Sequence, residues 1–442
     1  MTLAVAASLP PHVPLGRPLW IFSAATTISL TGGFIQEIAV GWSVWEVTHS
    51  TIWLAAAVLA DLLPTLIVSV PAGALIDRFR PATIFWLSQV ASCLQALVLC
   101  ALAALGELTV GGLLACAAFL GTCNAFTLPA RLAYMAALTP REVFSRAVVL
   151  YSLGGNAAFF AGPLIAGVLI SAFGAGAAFA ANALAYLPMI AVAVTLPAIA
   201  AKPTTPRQRQ GVLQQMRGGF VHAAQNRAIL VPLLSFAALA CTARGVIELA
   251  PSIAATALGG GVGTLSLLSA AVALGALFAG LWMSRWGMSR WGSWRERVTI
   301  ITTLAGSAAA LLAYGASGEI ALAPAGAVLL GIMLAINNIS VSSAIQLNAE
   351  PRYRGRVTSL YNMIFKGGPA LGVALFGGLA QLTDVRLSSA MAAIVLILLM
   401  LRITRQGRVS PAASRNRLIA RPLSGVGGLW STASPPAGSP LR

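Results

Sequence analysis

The stretch PAGALIDRFRP, residues 71–81, ends an apolar run in an acid, Asp77, followed closely by Arg78 and Arg80. Pro81 then opens a second apolar run. Only 9% of the 442 residues are charged and 58% are hydrophobic, so a charged break between two greasy segments needs a reason. A soluble domain carries about 25% charged residues; this chain has too few to wet its own surface. A mean hydropathy of +0.85 points the same way, to an integral membrane protein. In that setting the charged break is a hinge at a membrane face, with a spanning helix on either side.

The same alternation continues in both directions. A spanning helix needs about 20 apolar residues. Such runs cover approximately 19–44, 51–76, 82–105, 109–129, 145–172, 175–197, 228–254, 263–286, 298–316, 320–345, 356–382 and 386–403. The net charge of +17 would suggest a nucleic-acid partner in a soluble protein, but its distribution decides otherwise. Counting the two tails, 25 of the 28 Lys and Arg fall on one side of the alternation. The opposite gaps hold Glu46, Glu107, Glu319, Asp384 and a single base, Arg386. This is the positive-inside pattern. It predicts a multi-pass protein of the inner (plasma) membrane with both termini cytoplasmic, an even number of spans, a lipid partner and no nucleic acid. The opening MTLAVAASLPPHVPLGRPLW lacks a basic leader region and is broken by prolines, so no cleaved signal is expected.

Residues 198–227 form the one long internal loop. It is Pro, Thr and Arg rich at its start, with Leu213, Met216, Phe220 and Ala224 on one helical face at its end. That end predicts an interfacial helix. The domains are then a tail 1–18, a six-helix bundle 19–197, the linker 198–227, a second bundle 228–404 and a disordered basic tail 405–442. The bundles repeat each other. PREVFSRAVVLYS opens the fifth span and PRYRGRVTSLYN the eleventh, and Gly162-Pro163 is matched by Gly368-Pro369. Duplicated bundles around a midplane site are a transporter architecture.

These residues resemble the major facilitator superfamily. Gly73, Leu75, Asp77 and Arg78 fit its G-x-L-x-D-R loop pattern, and Gly162, Pro163 and Gly167 fit the G-P-x-x-x-G element of its antiporters. The closer similarity, over roughly 17–403, is to the branch of the enterobactin exporter and macrolide-efflux proteins. It rests on VTHSTIWLAAAVLADLLPTLIVSVPAGALIDRF, NAFTLPARLAYMAALTPREVFSRAVVLYS and PRYRGRVTSLYNMIFKGGPALG. Two departures stand out: Pro81, Ala82 and Thr83 replace the further bases usual after the Asp-Arg, and Phe159 stands where an arginine often precedes the Gly-Pro. The resemblance implies an all-α membrane fold of twelve helices in two pseudo-symmetric six-helix bundles. It also implies proton-coupled export of a siderophore, macrolide or other drug-like compound by a monomer. An importer, a lipid flippase and a transport-dead sensor or scaffold remain open alternatives.

Within that frame, Gly73, Asp77, Arg78 and Arg131 are the expected latch at the cytoplasmic mouth, Asp77 facing the N-terminus of the eleventh helix. Ionisable groups inside spans are costly and mark function. Asp61 lies about 15 Å below the outer end of span two, and Lys366 about 15 Å above the inner end of span eleven. Both are expected near the midplane, as a switching pair. Arg244 and Glu248, spaced i, i+4, and Glu37 on span one are candidates for an outer gate or substrate contact. A carboxylate in an apolar span is a candidate proton carrier. Gly162, Pro163 and Gly167 are expected to permit close helix approach and a bend. The five cysteines lack metal spacing, and His12, His49 and His222 lie outside the spans. No P-loop occurs, so no metal, cofactor or enzymatic chemistry is expected.

Overall fold

The computed structural model describes residues 16–78, 81–139, 143–195, 220–286 and 293–406. Twelve helices in that part are long and apolar enough to cross a membrane. We number them α1 (Arg17–Thr48), α2 (Thr51–Arg78), α3 (Pro81–Ala104), α4 (Val110–Leu138), α5 (Phe144–Phe173) and α6 (Ala175–Thr195). The second set is α7 (Arg227–Leu239, continued by shorter segments), α8 (Val262–Trp286), α9 (Ser293–Leu311), α10 (Leu322–Asn348), α11 (Pro351–Leu382) and α12 (Val385–Gln406). Residues 1–400 form one compact unit, and 401–442 are assigned to another. Below, the near side is the one on which α1 begins, and the far side the one on which it ends.

Local chemistry sets the ends. Thr109 caps α4 by accepting from the Gly112 amide at 3.2 Å, and Asn226 caps α7 by accepting from the Ala228 amide at 3.0 Å. Gly174, with φ of +80°, makes a one-residue corner between α5 and α6 that a side chain would strain. Mid-helix side chains such as Val168, Leu375 and Leu398 are exposed, as lipid-facing positions require and as a soluble monomer avoids.

Helices α1 to α6 pack on one another, α2 on α4, α3 on α6, and α1 on α5 and α6. Their near-side core joins Leu19, Phe22, Phe85, Tyr134 and Met189. Helices α7 to α12 form the second set, α8 and α9 on α10 and α11 on α7, with a core of Ile229, Phe236, Val341, Ile345 and Leu360. The sets meet along α5 against α8 and α2 against α11.

Four expectations need correction. Helix α4 runs to Leu138, not 129. Arg131 therefore sits inside the helix and is buried, its guanidinium 5.9 Å from the Phe85 ring; it is not an end-of-span charge at the mouth. Helix α11 starts at Pro351, five residues early, because proline suits a first helical turn. The seventh span is not one continuous helix. After Leu239 come a π-turn (Ala240–Arg244), one α-turn (Gly245–Ile247), a break at Glu248–Leu249, a short α-segment (Ala250–Ser252) and a second π-turn (Ile253–Ala257). Pro251 cannot donate a backbone bond, which accounts for an interruption just before it. Finally, the position of Trp42 and Trp45 near a span end predicts interfacial belt residues, but both are buried in the far half of α1, whereas Trp20, Trp53 and Trp282 are exposed. In the linker, 220–227 is described, with 220–225 helical and Arg227 opening α7. Ala223 is buried there and Phe220 and Ala224 are exposed; Leu213 and Met216 lie outside the described residues.

Candidate functional site

Helices α2 and α11 run antiparallel across the two sets, and one cluster of bonds fixes their register. The Thr51 hydroxyl donates to the Gly377 carbonyl at 2.6 Å. The Gln381 side-chain oxygen accepts from the Thr51 amide at 3.1 Å and the Ser50 hydroxyl at 3.0 Å. Counting from the Thr51–Gly377 bond, Asp61 is ten residues along α2 and Lys366 eleven residues back along α11. At 1.5 Å per residue both sit about 15–17 Å below the far-side lock, at matched depth. Lys366 is the largest charge acting on Asp61. Lys366 is exposed at the middle of its helix, yet it acts on Asp61 and Glu37 of the other set, so its amine faces the seam between the halves.

Asp61 is held by its backbone as much as by its carboxylate. Gly121 on α4 packs so closely that an added Cβ would lie 2.0 Å from the Asp61 carbonyl oxygen. Thr65 donates to the Asp61 or Gly121 carbonyl, each 2.8 Å away. Asn124 reaches the carboxylate, and the Asp61 Oδ1 is buried without a hydrogen-bond partner among the described residues.

Glu37 lies within electrostatic reach of Glu248, Arg244, Asp61 and Lys366. The register of α1 against the seventh span explains this: Gly41, one turn beyond Glu37, faces Pro251, three residues beyond Glu248. Arg244 closes the first π-turn and Glu248 stands at the break, the Glu248 amide bonding the Arg244 carbonyl at 3.2 Å. π-turns and interrupted helices recur where spans handle ligands. The Arg244 guanidinium stacks 4.8 Å from the Phe365 ring centroid. Phe365, Tyr361 and Phe236 stack in turn, with centroids 4.7–6.3 Å apart, and Tyr361 donates to Asn338.

The helix-packing motif divides between two contacts. A Cβ on Gly162 would meet Phe34 of α1 at 2.5 Å, and one on Gly167 would meet Ser266 of α8 at 2.5 Å. The first contact is internal to the first set and the second crosses between sets; Pro163 lies inside α5 and is buried. Of the expected latch, Gly73, Asp77 and Arg78 lie in the last turns of α2, and only for Arg131 are the surroundings of the side chain described. Arg131 acts on Tyr186, and its Nε has no hydrogen-bond partner among the described residues.

A scan against protein-family models matches residues 9–422 to the family described as transmembrane secretion effector. The chain is a major facilitator transporter of the transmembrane secretion effector family. Its relatives are transporters and not enzymes. It is 28% identical to the staphyloferrin A transporter of Staphylococcus aureus over 177 residues, 40% of this chain and 44% of that protein, so that match spans under half of the relative. It is 25% identical to the uncharacterized MFS-type transporter YfiS of Bacillus subtilis over 93% of this chain and 98% of that one. In fold it is similar to the nucleoside transporter NupG, with a TM-score of 0.68 at 12% identity, covering 89% of this chain and 100% of that one. It is also similar to a bacterial homologue of the human lysosomal transporter Spinster in an inward-facing conformation, with a TM-score of 0.63 at 16% identity, covering 90% and 100%.

In this secretion effector three approaches between the halves lie on the far side: Thr51 on Gly377, Gly41 on Pro251 and Gly167 on Ser266. Sequence reasoning missed the Ser50, Thr51 and Gln381 lock, because neutral polar residues about 330 positions apart carry no pairing signal. It also missed Gly372, where an added Cβ would lie 1.9 Å from the Cys241 carbonyl oxygen; the Gly368-Pro369 repeat match pointed to that helix face. Among the polar residues of the spans, Gln89, Asn182 and Asn337 are buried and bond helix to helix, as in Asn182 to Gln36 at 2.6 Å and Asn337 to Ser235 at 3.2 Å.

Replacing Gln381 with Leu removes the acceptor shared by Ser50 and Thr51. At about 1 kcal/mol for each of the two hydrogen bonds, the far mouth should open more often by about thirtyfold. Accessibility of an introduced far-side cysteine to a membrane-impermeant maleimide is expected to rise; an unchanged labelling rate would show that Gln381 does not hold the mouth.

Proposed function

We propose that this secretion effector exports a small molecule (a siderophore, macrolide or other drug-like compound) from the cytoplasm by proton-coupled alternating access, acting as a monomer of the inner membrane. The observation that carries the reading is the mid-depth seam. Glu37 and Asp61 of the first set lie within electrostatic reach of Lys366 of the second, and Glu37 and Glu248 within reach of Arg244, below bonds that join α2 to α11 on the far side. Charges that deep are costly and persist where they serve transport.

The skew of 25 of 28 bases to one side supports both termini being cytoplasmic. The near side is then the cytoplasmic one, and the arrangement described is closed to the outside. Asp61 and Lys366 form the switching pair, released by a proton or by substrate. Asp77, with Arg78 and Gly73, closes the near mouth in the opposite state, Arg131 bracing that end of the first bundle from within. The staphyloferrin A transporter among its relatives makes siderophores the first compounds to try.

Everted membrane vesicles test the direction. With an acid interior, vesicles carrying the protein are expected to accumulate a labelled siderophore or macrolide and to release lumenal protons as they do. An importer accumulates nothing in that orientation, and a sensor moves neither compound nor protons; either result would overturn the proposal.

A further inference from the structure

We propose that Arg386 is a positioning residue for the far mouth: it ties the last part of the broken seventh span to α12, so that this part seals the mouth and travels with its own half. This rests on the alternating-access reading above and adds the residue that sets one rim of the mouth.

Arg386 is an exception that needs a cause. It is the single Lys or Arg in the far-side gaps, where the positive-inside rule disfavours a base. Its Nη2 donates to the Ala257 carbonyl at 2.7 Å, across 129 residues of sequence. Ala257 is buried and closes the second π-turn of the seventh span. Carbonyls at such an end have no partner within the helix. Backbone amides just beyond take two of them, Leu258 donating to Ile253 at 3.1 Å and Gly260 to Ala254 at 2.8 Å. The Ala257 carbonyl receives the guanidinium instead, a charge-assisted bond that also suits the negative end of a helix.

The guanidinium is held from two sides. Gly318, in the corner between α9 and α10, has φ of +68°. A Cβ there would lie 2.6 Å from the Arg386 Cζ, so the guanidinium lies against bare backbone. Two residues along α12, Ser388 donates to the Phe376 carbonyl of α11 at 2.6 Å. A Cβ on Gly315 would collide with the next side chain, Ser389. The start of α12, residues 315–318 and Ala257 therefore form one clasp inside the second half.

The clasped segment, residues 250–257, is also a rim of the far mouth. Pro251 faces Gly41 of α1, where a Cβ would lie 3.4 Å from the proline ring. Just before it, Leu249 packs on Gly377, whose carbonyl receives the Thr51 hydroxyl. The segment joins the rest of its span through the break at Glu248–Leu249, and an interrupted helix pivots at its interruption. The clasp, not the helix, fixes the direction in which the segment leaves that break.

The test uses the full-length protein in nanodiscs, with the native cysteines replaced and Ser252→Cys introduced in the clasped segment, where Ser252 is buried. Its labelling by a maleimide reports lifting of the segment. Arg386→Met keeps the length of the side chain and loses the donor. Labelling is expected to rise about tenfold, the effect of one charge-assisted bond. Membrane yield should hold, since a far-side base does not aid insertion. Arg386→Lys keeps a donor that reaches one carbonyl and should restore the low rate. Gly318→Ala displaces the guanidinium and should act like Arg386→Met. Gly106→Ala is its control: φ is +73° there, but nothing lies within 4 Å of an added Cβ, so position 252 should stay protected. Ser235→Cys, in the near half of the same span and equally buried, should stay protected in every variant. Equal rises at 235 and 252 would show general loosening and overturn the positioning role. No rise with Arg386→Met, against a rise with Gln381→Leu, would overturn the clasp and leave alternating access standing. No rise with either would overturn both.

Discussion

Replacing Asp61 with Asn is expected to abolish export while leaving the protein folded and inserted. The two side chains have nearly the same size and shape, so the packing of Gly121 against the residue 61 carbonyl and the Thr65 bond to it, both made to backbone, are retained. What is lost is the charge set against Lys366 and the capacity to take and release a proton. A transporter whose switch depends on that charge should stop in one state, so vesicle export falls to background with an unchanged Tm. Normal export by Asp61→Asn would remove the pair from the mechanism. Asp61→Glu, which keeps the charge but lengthens the side chain, is expected to retain part of the activity.

Gly372→Val is expected to be among the most destabilising substitutions in the chain. At this point α11 lies backbone to backbone on the π-turn of the seventh span: a Cβ would stand 1.9 Å from the Cys241 carbonyl oxygen and 2.9 Å from the Gly245 Cα. Neither neighbour is a flexible side-chain tip, so the helices themselves must part. Overpacking of this kind costs about 3 kcal/mol or more. The same change at Gly378, one and a half turns on, meets nothing within 4 Å and should leave Tm and yield unaltered. Equal Tm values for the two variants would show that the close approach at Gly372 does not hold the helices together.

The spans were legible because lipid imposes a length and a polarity on each one, and both are local properties of the sequence. The pairing of α2 with α11 and the matched depth of Asp61 and Lys366 followed from the fold that the repeat and the family resemblance implied. What escaped was what depends on another helix. Arg131 looks like a boundary charge because the positive-inside rule counts arginines without asking what they touch; Phe85 and Tyr186 keep it inside α4. The break at Glu248 is invisible in a run of apolar residues, since the same letters would serve a continuous helix; only Pro251, three positions on, hints at it. Trp42 and Trp45 sit at the end of a span, as belt residues do, but that end of α1 is covered by its neighbours. Ser50, Thr51 and Gln381 form a lock only once α2 and α11 are set side by side.

The central claim is that the two halves open their mouths in alternation about the charged seam. Paired spin-label distances test it most directly, with the native cysteines replaced. One pair at Phe173 and Ile320 spans the far side, and the other, at Leu132 and Leu347, spans the near side; all four positions are exposed. The far-side distance is expected to be short at rest and to lengthen with Gln381→Leu and during pH-driven turnover, while the near-side distance shortens. Two distances that stay fixed under every condition, or that lengthen together, would contradict the account.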